Sequence, residues 1–139
     1  ARDAGVTRLV HVSAIGADVN SPAEYGRSKG LGEAAVLAAV PTATILRPST
    51  VFGREDQFIN RFAGMIRMTP VVPLVAGSAK FQPVYVDDVA SAVRAALTDP
   101  AAAGRTFELG GPQILSMEEL FRWIARAIGR DPLFAPVPN

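Results

Sequence analysis

Arg8 to Ser13 (RLVHVS) and Thr42 to Leu46 (TATIL) are short apolar runs with about one helix's length of chain between them. Runs of this length without strict alternation belong to strands buried on both faces, the kind a parallel sheet contains. Between them, Ser21-Pro22 opens a helix that alanine-rich sequence carries to about Ala39. Serine is a good N-cap and proline suits the first turn. Pro41 ends that helix, and Arg47-Pro48 closes the second run. Strand, helix, strand with a crossover of this length is a βαβ unit, which implies a parallel pair and a right-handed connection. The chain is therefore expected to be α/β, with helices packed on a parallel sheet.

The rest of the chain supplies further elements. A helix of period 3.6 is expected from about Asp56 to Met68, with Phe58, Phe62, Met65 and Ile66 on its apolar side. Prolines at 70, 73 and 83 argue for loops and an edge strand there. Val84 to Val86 is a short strand, and Asp87-Asp88 are expected to cap a helix running to about Leu97. Thr106 to Leu109 is the last clear strand, and Gly110-Gly111-Pro112 turns the chain. Ser116-Met117-Glu118-Glu119 has the pattern of a capping box, opening a helix that ends near Gly129. The Pro-rich tail beyond it is expected to be extended. Phe58, Phe62 and Trp123 fall at helical spacing on apolar faces, the placement of core residues rather than a recognition stripe.

Composition narrows the function. The 139 residues carry a formal net charge of +1 with no basic run, so nucleic acid is not an expected partner. The longest purely apolar stretch, Ala34 to Val40, is far short of the roughly 20 residues of a spanning helix. With no cysteine, disulfides and thiolate metal sites are excluded, and with His11 the single histidine, a classical metal cluster is not expected. His11 itself reads as a hydrogen-bonded core histidine, or one that supports the site from behind, rather than a proton shuttle. The opening ARDAGVTRLV has no signal-peptide pattern and reads as a helix tail feeding a strand, as if the chain began partway through a larger fold.

The chemistry concentrates in EYGRSKG, Glu24 to Gly30, where Tyr25 and Lys29 stand four residues apart. On a helix such residues share a face, with Cβ atoms about 6 Å apart, so a phenol and an ammonium can address one small molecule. A surface pair on an amphipathic helix is the plain alternative. Position favours the functional one: the pair follows a strand ending in Ser13, and open α/β sheets bind ligands at the carboxyl ends of their strands. There the ammonium favours the ionised phenol, the phenol exchanges a proton with a carbonyl or alcohol oxygen, and the serine hydroxyl polarises that oxygen. Gly26, Gly30 and Gly32 lie inside the same helix and are expected to allow close packing against the sheet.

Tyr-x-x-x-Lys after a strand ending in serine resembles the short-chain dehydrogenase/reductase superfamily in its extended form. LRPSTVFG (Leu46 to Gly53), FQPVYVDDVA (Phe81 to Ala90) and RTFELGGPQILSMEEL (Arg105 to Leu120) match in order. HVSAIGAD, SKGLGEAAV and FGREDQFINRF resemble, more narrowly, the branch related to the 39-kilodalton accessory subunit of respiratory complex I, an NADH dehydrogenase. The match covers essentially the whole chain.

This resemblance implies the later part of a doubly wound, Rossmann-like parallel sheet plus a small C-terminal substrate lobe. Residues 1–53 would be the C-terminal half of an NAD(P)-binding sheet, and 54–139 mostly the lobe, with strands returning to the main sheet. The implied function is NAD(P) binding in a relative of the complex I accessory subunit, with the nucleotide structural or slowly turned over. An active NAD(P)-dependent sugar-nucleotide epimerase or reductase is one alternative, and a non-catalytic assembly module the other. In the active case Tyr25 is the acid/base, Lys29 its modulator and ribose anchor, and Ser13 the polariser. Arg47, Pro48 and Ser49 either meet the nicotinamide amide through backbone groups or form an ordinary strand stop. The implied partners are NAD or NADP, a small-molecule substrate, respiratory complex I, and either the N-terminal half of the fold or a second copy. The implied location is cytoplasmic or peripheral to the inner membrane.

Two departures from the family pattern matter. No glycine-rich phosphate turn follows any strand in this sequence, and Gly110-Gly111 lacks a third glycine. The residue that supplies the substrate-side hydroxyl in many active members aligns one step past Ser13, where this chain has Ala14.

Overall fold

A computed structural model describes residues 1–137; Pro138 and Asn139, the end of the expected extended tail, lie outside the described residues. The elements in chain order are a 3-10 turn Arg2–Ala4, β1 (Val10–Val12), α1 (Glu24–Ala39), β2 (Thr44–Pro48), β3 (Val51–Phe52), α2 (Phe58–Met68), β4 (Val71–Leu74), β5 (Lys80–Phe81), β6 (Val84–Tyr85), α3 (Val86–Thr98), a 3-10 turn Pro100–Ala102, β7 (Thr106–Leu109), β8 (Leu115–Ser116), α4 (Met117–Ala127) and β9 (Leu133–Pro136). They form two compact units, each made of two stretches of chain: 1–49 with 84–110, and 50–83 with 111–139.

The first unit is built on a parallel sheet of order β1-β2-β7. Val10 to Val12 pair with Thr44 to Leu46, and Ile45 to Pro48 with Thr106 to Leu109. The α/β fold and the parallel βαβ pair are thus present. Strand limits shift for local reasons. The Ala43 N–H is spent on the Val40 carbonyl in the turn that ends α1, so β2 starts at Thr44, two residues later than expected. It runs on through Pro48, which has no N–H to give but whose carbonyl accepts from Ile15 N–H at 3.0 Å. Ile45 and Leu46 are fully buried and form the centre of this unit. The Arg8 guanidinium donates to the carbonyls of Ala96 (2.5 Å), Leu97 (3.3 Å) and Asp99 (2.6 Å), satisfying groups that the last turn of α3 leaves unpaired.

Two helix starts differ from expectation. Ser21 is not the N-cap of α1; the helix begins at Glu24 after Ala23, and the Ser21 hydroxyl accepts from Ala23 N–H at 3.2 Å in a turn just upstream. Asp87 and Asp88 do not cap α3 by side-chain bonds either. They fall within its first turn, where a carboxylate acts on the positive end of the helix dipole.

In the second unit β4 pairs parallel with β9, Val71 to Leu74 beside Leu133 to Pro136, and β5 pairs antiparallel with β8. The tail after α4 is therefore a paired strand, not merely extended chain. The capping box is complete: Ser116 Oγ accepts from Glu119 N–H at 3.1 Å and Glu119 Oε2 from Ser116 N–H at 2.7 Å. That backbone bond holds the Glu119 carboxyl below its ordinary pKa. Asp56 stays outside α2 and accepts from Ile59 N–H instead, so α2 begins at Phe58. Ile66, Val72, Leu120 and Ile124 form a fully buried core, with Phe58, Phe62, Phe81 and Phe134 packed around it. Phe62 and Phe121 have ring centroids 4.7 Å apart. Trp123 is only partly covered and meets Phe52 edge-on at 5.8 Å.

Candidate functional site

The carboxyl ends of β1 and β2 lead to Ser13 and Ser49, and the segment after Ser13 delivers the chain to α1. Tyr25 is the second residue of α1 and Lys29 stands one turn further. The Lys29 ammonium lies over the phenol ring, Nζ 5.5 Å from its centroid, so the two side chains point the same way. Tyr25 is 65% exposed, which leaves its hydroxyl open to a ligand. The pair offers a proton donor or acceptor and a cation with rotatable N–H donors on one patch.

The stripe continues at the same step of four to Glu33, which is 6% exposed. Both its oxygens are bonded by Arg47 of β2: Nε to Oε1 at 2.9 Å and Nη2 to Oε2 at 2.7 Å. These two bonds outweigh burial and hold the Glu33 carboxyl below its ordinary pKa, with smaller help from the Ser13 hydroxyl and His11. The same partner raises Arg47. Arg47 Nη1 also lies 4.0 Å from Glu108 Oε1 on β7. Sequence reasoning passed over Glu33, although its spacing from Tyr25 and Lys29 carried the signal.

Ser13 is 6% exposed, and its Oγ adjoins the Glu33 carboxylate without reaching hydrogen-bond geometry with any partner. A buried hydroxyl left unbonded costs on the order of 1–3 kcal/mol, so an incoming acceptor or donor there would be held. Ser13 meets the stripe at Glu33, two turns past Tyr25. Arg47, Pro48 and Ser49 are largely committed to the fold: the Arg47 guanidinium to Glu33, the Pro48 carbonyl to Ile15 N–H and the Ser49 N–H to the Leu109 carbonyl at 2.8 Å.

Two of the three helix glycines are required by close packing, against the segment before α1 and not against the sheet. A Cβ on Gly30 would lie 2.5 Å from the backbone of Asp18 and Val19, and one on Gly26 would lie 2.9 Å from the Gly16 carbonyl. Gly32 meets nothing within 4 Å. His11 is half-buried on β1, and among the described residues no group of acidic or imidazole side chains is arranged to hold a metal.

The family model described as RmlD substrate binding domain matches residues 16–139. The chain belongs to that family, within the extended short-chain dehydrogenase/reductase superfamily. Among curated relatives of this superfamily member, NADH dehydrogenase [ubiquinone] 1 alpha subcomplex subunit 9, mitochondrial, of Arabidopsis thaliana is 42% identical over 136 residues, covering 96% of this chain and 34% of the relative. The Mus musculus protein of the same name is 41% identical over 139 residues, covering 99% and 37%. The chain thus spans about a third of the length of these relatives. Two solved structures share the fold at low identity. A dTDP-4-dehydrorhamnose reductase from Clostridium acetobutylicum has a TM-score of 0.83 at 21% identity, covering 95% of this chain and 51% of that one. A Thermus thermophilus UDP-glucose 4-epimerase, in complex with NAD, has a TM-score of 0.70 at 22% identity, covering 97% and 53%.

Proposed function

We propose that the whole protein binds a nicotinamide dinucleotide at the carboxyl end of the β1-β2-β7 sheet, with Tyr25 and Lys29 contacting the nicotinamide ribose. The observation that carries this is the exposed phenol with the ammonium laid over it, on the first two turns of the helix that follows β1. The residues fit that end of the nucleotide: three N–H donors on Lys29, a phenol, and the unbonded Ser13 hydroxyl. They do not supply a pyrophosphate cradle, so that grip must come from elsewhere in the whole protein. The dinucleotide is NAD or NADP. NAD in the Thermus epimerase and the mitochondrial NADH dehydrogenase relatives support the class.

Following those relatives, the proposed role is that of a complex I accessory-type subunit in which the nucleotide is structural or slowly turned over, peripheral to the inner membrane or cytoplasmic. Among the described residues no helix is long and apolar enough to cross a membrane. Ala14 at the substrate-side position supports low turnover or a purely structural role. The intact Tyr25 and Lys29 favour a second reading, an active sugar-nucleotide reductase or epimerase. Bound, the dinucleotide would supply a hydride donor or acceptor; Tyr25 would move a proton at the substrate oxygen and Lys29 would hold the ribose, while Ser13, which adjoins Glu33 two turns along α1, stands apart from that oxygen. β1 is an edge of its sheet and Val12 is half-exposed, so the N-terminal half of the fold or a second copy is proposed to pack there.

Dinucleotide binding by the whole protein, followed by NAD(P)H fluorescence in wild type and Lys29→Met, tests the site. Tight binding weakened by the substitution is expected, and equal affinity in both would end the assignment. NAD(P)H absorbance with sugar nucleotides reads a reductase, and NMR of the sugar nucleotide reads an epimerase, which returns its hydride and leaves no net absorbance change. With wild type beside Tyr25→Phe, no change by either measurement would exclude turnover of those substrates.

A further inference from the structure

From the fork between Glu33 and Arg47 we infer that Glu33 is a positioning residue for the Tyr25–Lys29 pair: the fork fixes how α1 is rotated about its own axis, and so where the phenol and ammonium point. The inference rests on the nucleotide reading for its purpose, though not for its geometry.

The argument starts from what docks α1. The buried residues of this 16-residue helix are Gly26, Gly30 and Glu33. The glycines bring the helix backbone close to the segment before it, but a contact without side chains cannot key a rotation as an interdigitated apolar face does. A bidentate bond can. Arg47 presents its fork from the middle of the sheet, where β2 is paired on both sides, so the guanidinium rests on a rigid support. Two parallel N–H donors to two carboxylate oxygens fix direction as well as distance. Residues at steps of four are stacked along one side of a helix, so the rotation set at Glu33 is transmitted to Lys29, one turn away, and to Tyr25, two turns away.

A single charge attraction would do this less well, because it fixes a distance and no angle. The site keeps the fork even though a carboxylate this deeply buried is costly to desolvate, which points to specificity of placement rather than to stability. His11 on β1 and Ser13 just beyond its end, the other polar groups around the carboxylate, add to its anionic character without binding it as Arg47 does.

The test uses the whole protein with Tyr85→Phe, which leaves Tyr25 the single tyrosine in this segment. Its ring is followed by ¹³C-tyrosine labelling, and dinucleotide affinity is measured in parallel. Glu33→Gln keeps the shape and loses the second charge-assisted bond, and Arg47→Lys keeps the charge and loses the fork. Both are expected to move the Tyr25 ring resonance and to weaken dinucleotide binding by at least about tenfold, while the fold, followed by circular dichroism, is retained. The exchange variant, Glu33→Arg with Arg47→Glu, rebuilds the fork in reverse and is expected to restore the resonance. A Tyr25 resonance unmoved in folded Glu33→Gln and Arg47→Lys overturns the inference. So does an exchange variant that folds and fails to restore it, since the carboxylate would then act by its charge. If wild type binds no dinucleotide, the nucleotide reading fails by itself, and the ring resonance still decides whether the fork positions the pair.

Discussion

α1 and α4 are both helices docked onto their own unit, yet their buried sides have almost nothing in common. α4 buries Leu120, Phe121, Ile124 and Ala125, an apolar stripe at helical spacing. α1 buries two glycines and a carboxylate. Apolar burial is non-directional and tolerates small shifts, whereas close backbone contact and a forked ion pair leave one arrangement. The helix that carries the candidate site is thus held by geometry, and the helix that carries none is held by hydrocarbon.

The comparison is most sharply tested in the second unit's core. Leu120→Ala removes a fully buried side chain and is expected to destabilise by about 3–4 kcal/mol, with dinucleotide affinity below the melting range unchanged. Chemical denaturation measures the first and fluorescence titration the second. Arg47→Ala should cost about 3 kcal/mol by stranding the Glu33 carboxylate in a buried place, and here affinity should fall with stability. Replacing both partners, Glu33→Leu with Arg47→Met, should recover most of that stability without recovering affinity. Recovery of both would show that α1 is docked as loosely as α4.

Acid gives a third test. The Glu33 pKa is lowered in the folded state, so its contribution is fully present above the ordinary carboxylate value near 4.5 and is lost as pH falls through the lowered value. Wild type should therefore lose more stability than Arg47→Ala on acidification through that window, and parallel losses would contradict the pairing. The smallest effects are expected at half-buried positions. Ser116→Ala removes an N-cap and should cost about 1 kcal/mol, while Lys29→Met, which breaks only a cation contact with an exposed phenol ring, should change stability by about 0.5–1 kcal/mol. A larger stability loss at Lys29 than at Ser116 would make Lys29 a structural residue.

What could be read from the sequence was whatever depends on neighbours along the chain. The apolar runs gave a parallel pair, although β1 is an edge strand and not buried on both faces. Ser116 and Glu119 gave a capping box with both bonds made, and the spacing of Tyr25 and Lys29 gave two side chains pointing the same way. Features joining distant segments were harder to see. Glu33 and Arg47 are 14 residues apart on different elements, and no local pattern pairs them. The strand Leu133–Pro136 exists because β4 offers it a partner, and proline content alone argued for nothing more than extended chain. Gly26 and Gly30 were placed against the sheet because helices of βαβ units usually pack there. Their actual contact is with Gly16, Asp18, Val19 and Ser21 in the segment before α1, which a periodicity argument does not reach.

Both units are interleaved along the polypeptide, and this bears on the order in which the molecule can be made. When residue 83 has left the ribosome, β2 still lacks β7, the Arg8 guanidinium still lacks the carbonyls of Ala96 to Asp99, and the core around Ile66 still lacks Leu120 and Ile124. Neither unit can close until the chain beyond residue 105 has emerged. A nascent chain arrested anywhere between residues 50 and 110 presents two unfinished cores at once. Early fragments should depend on chaperones far more than the released product does.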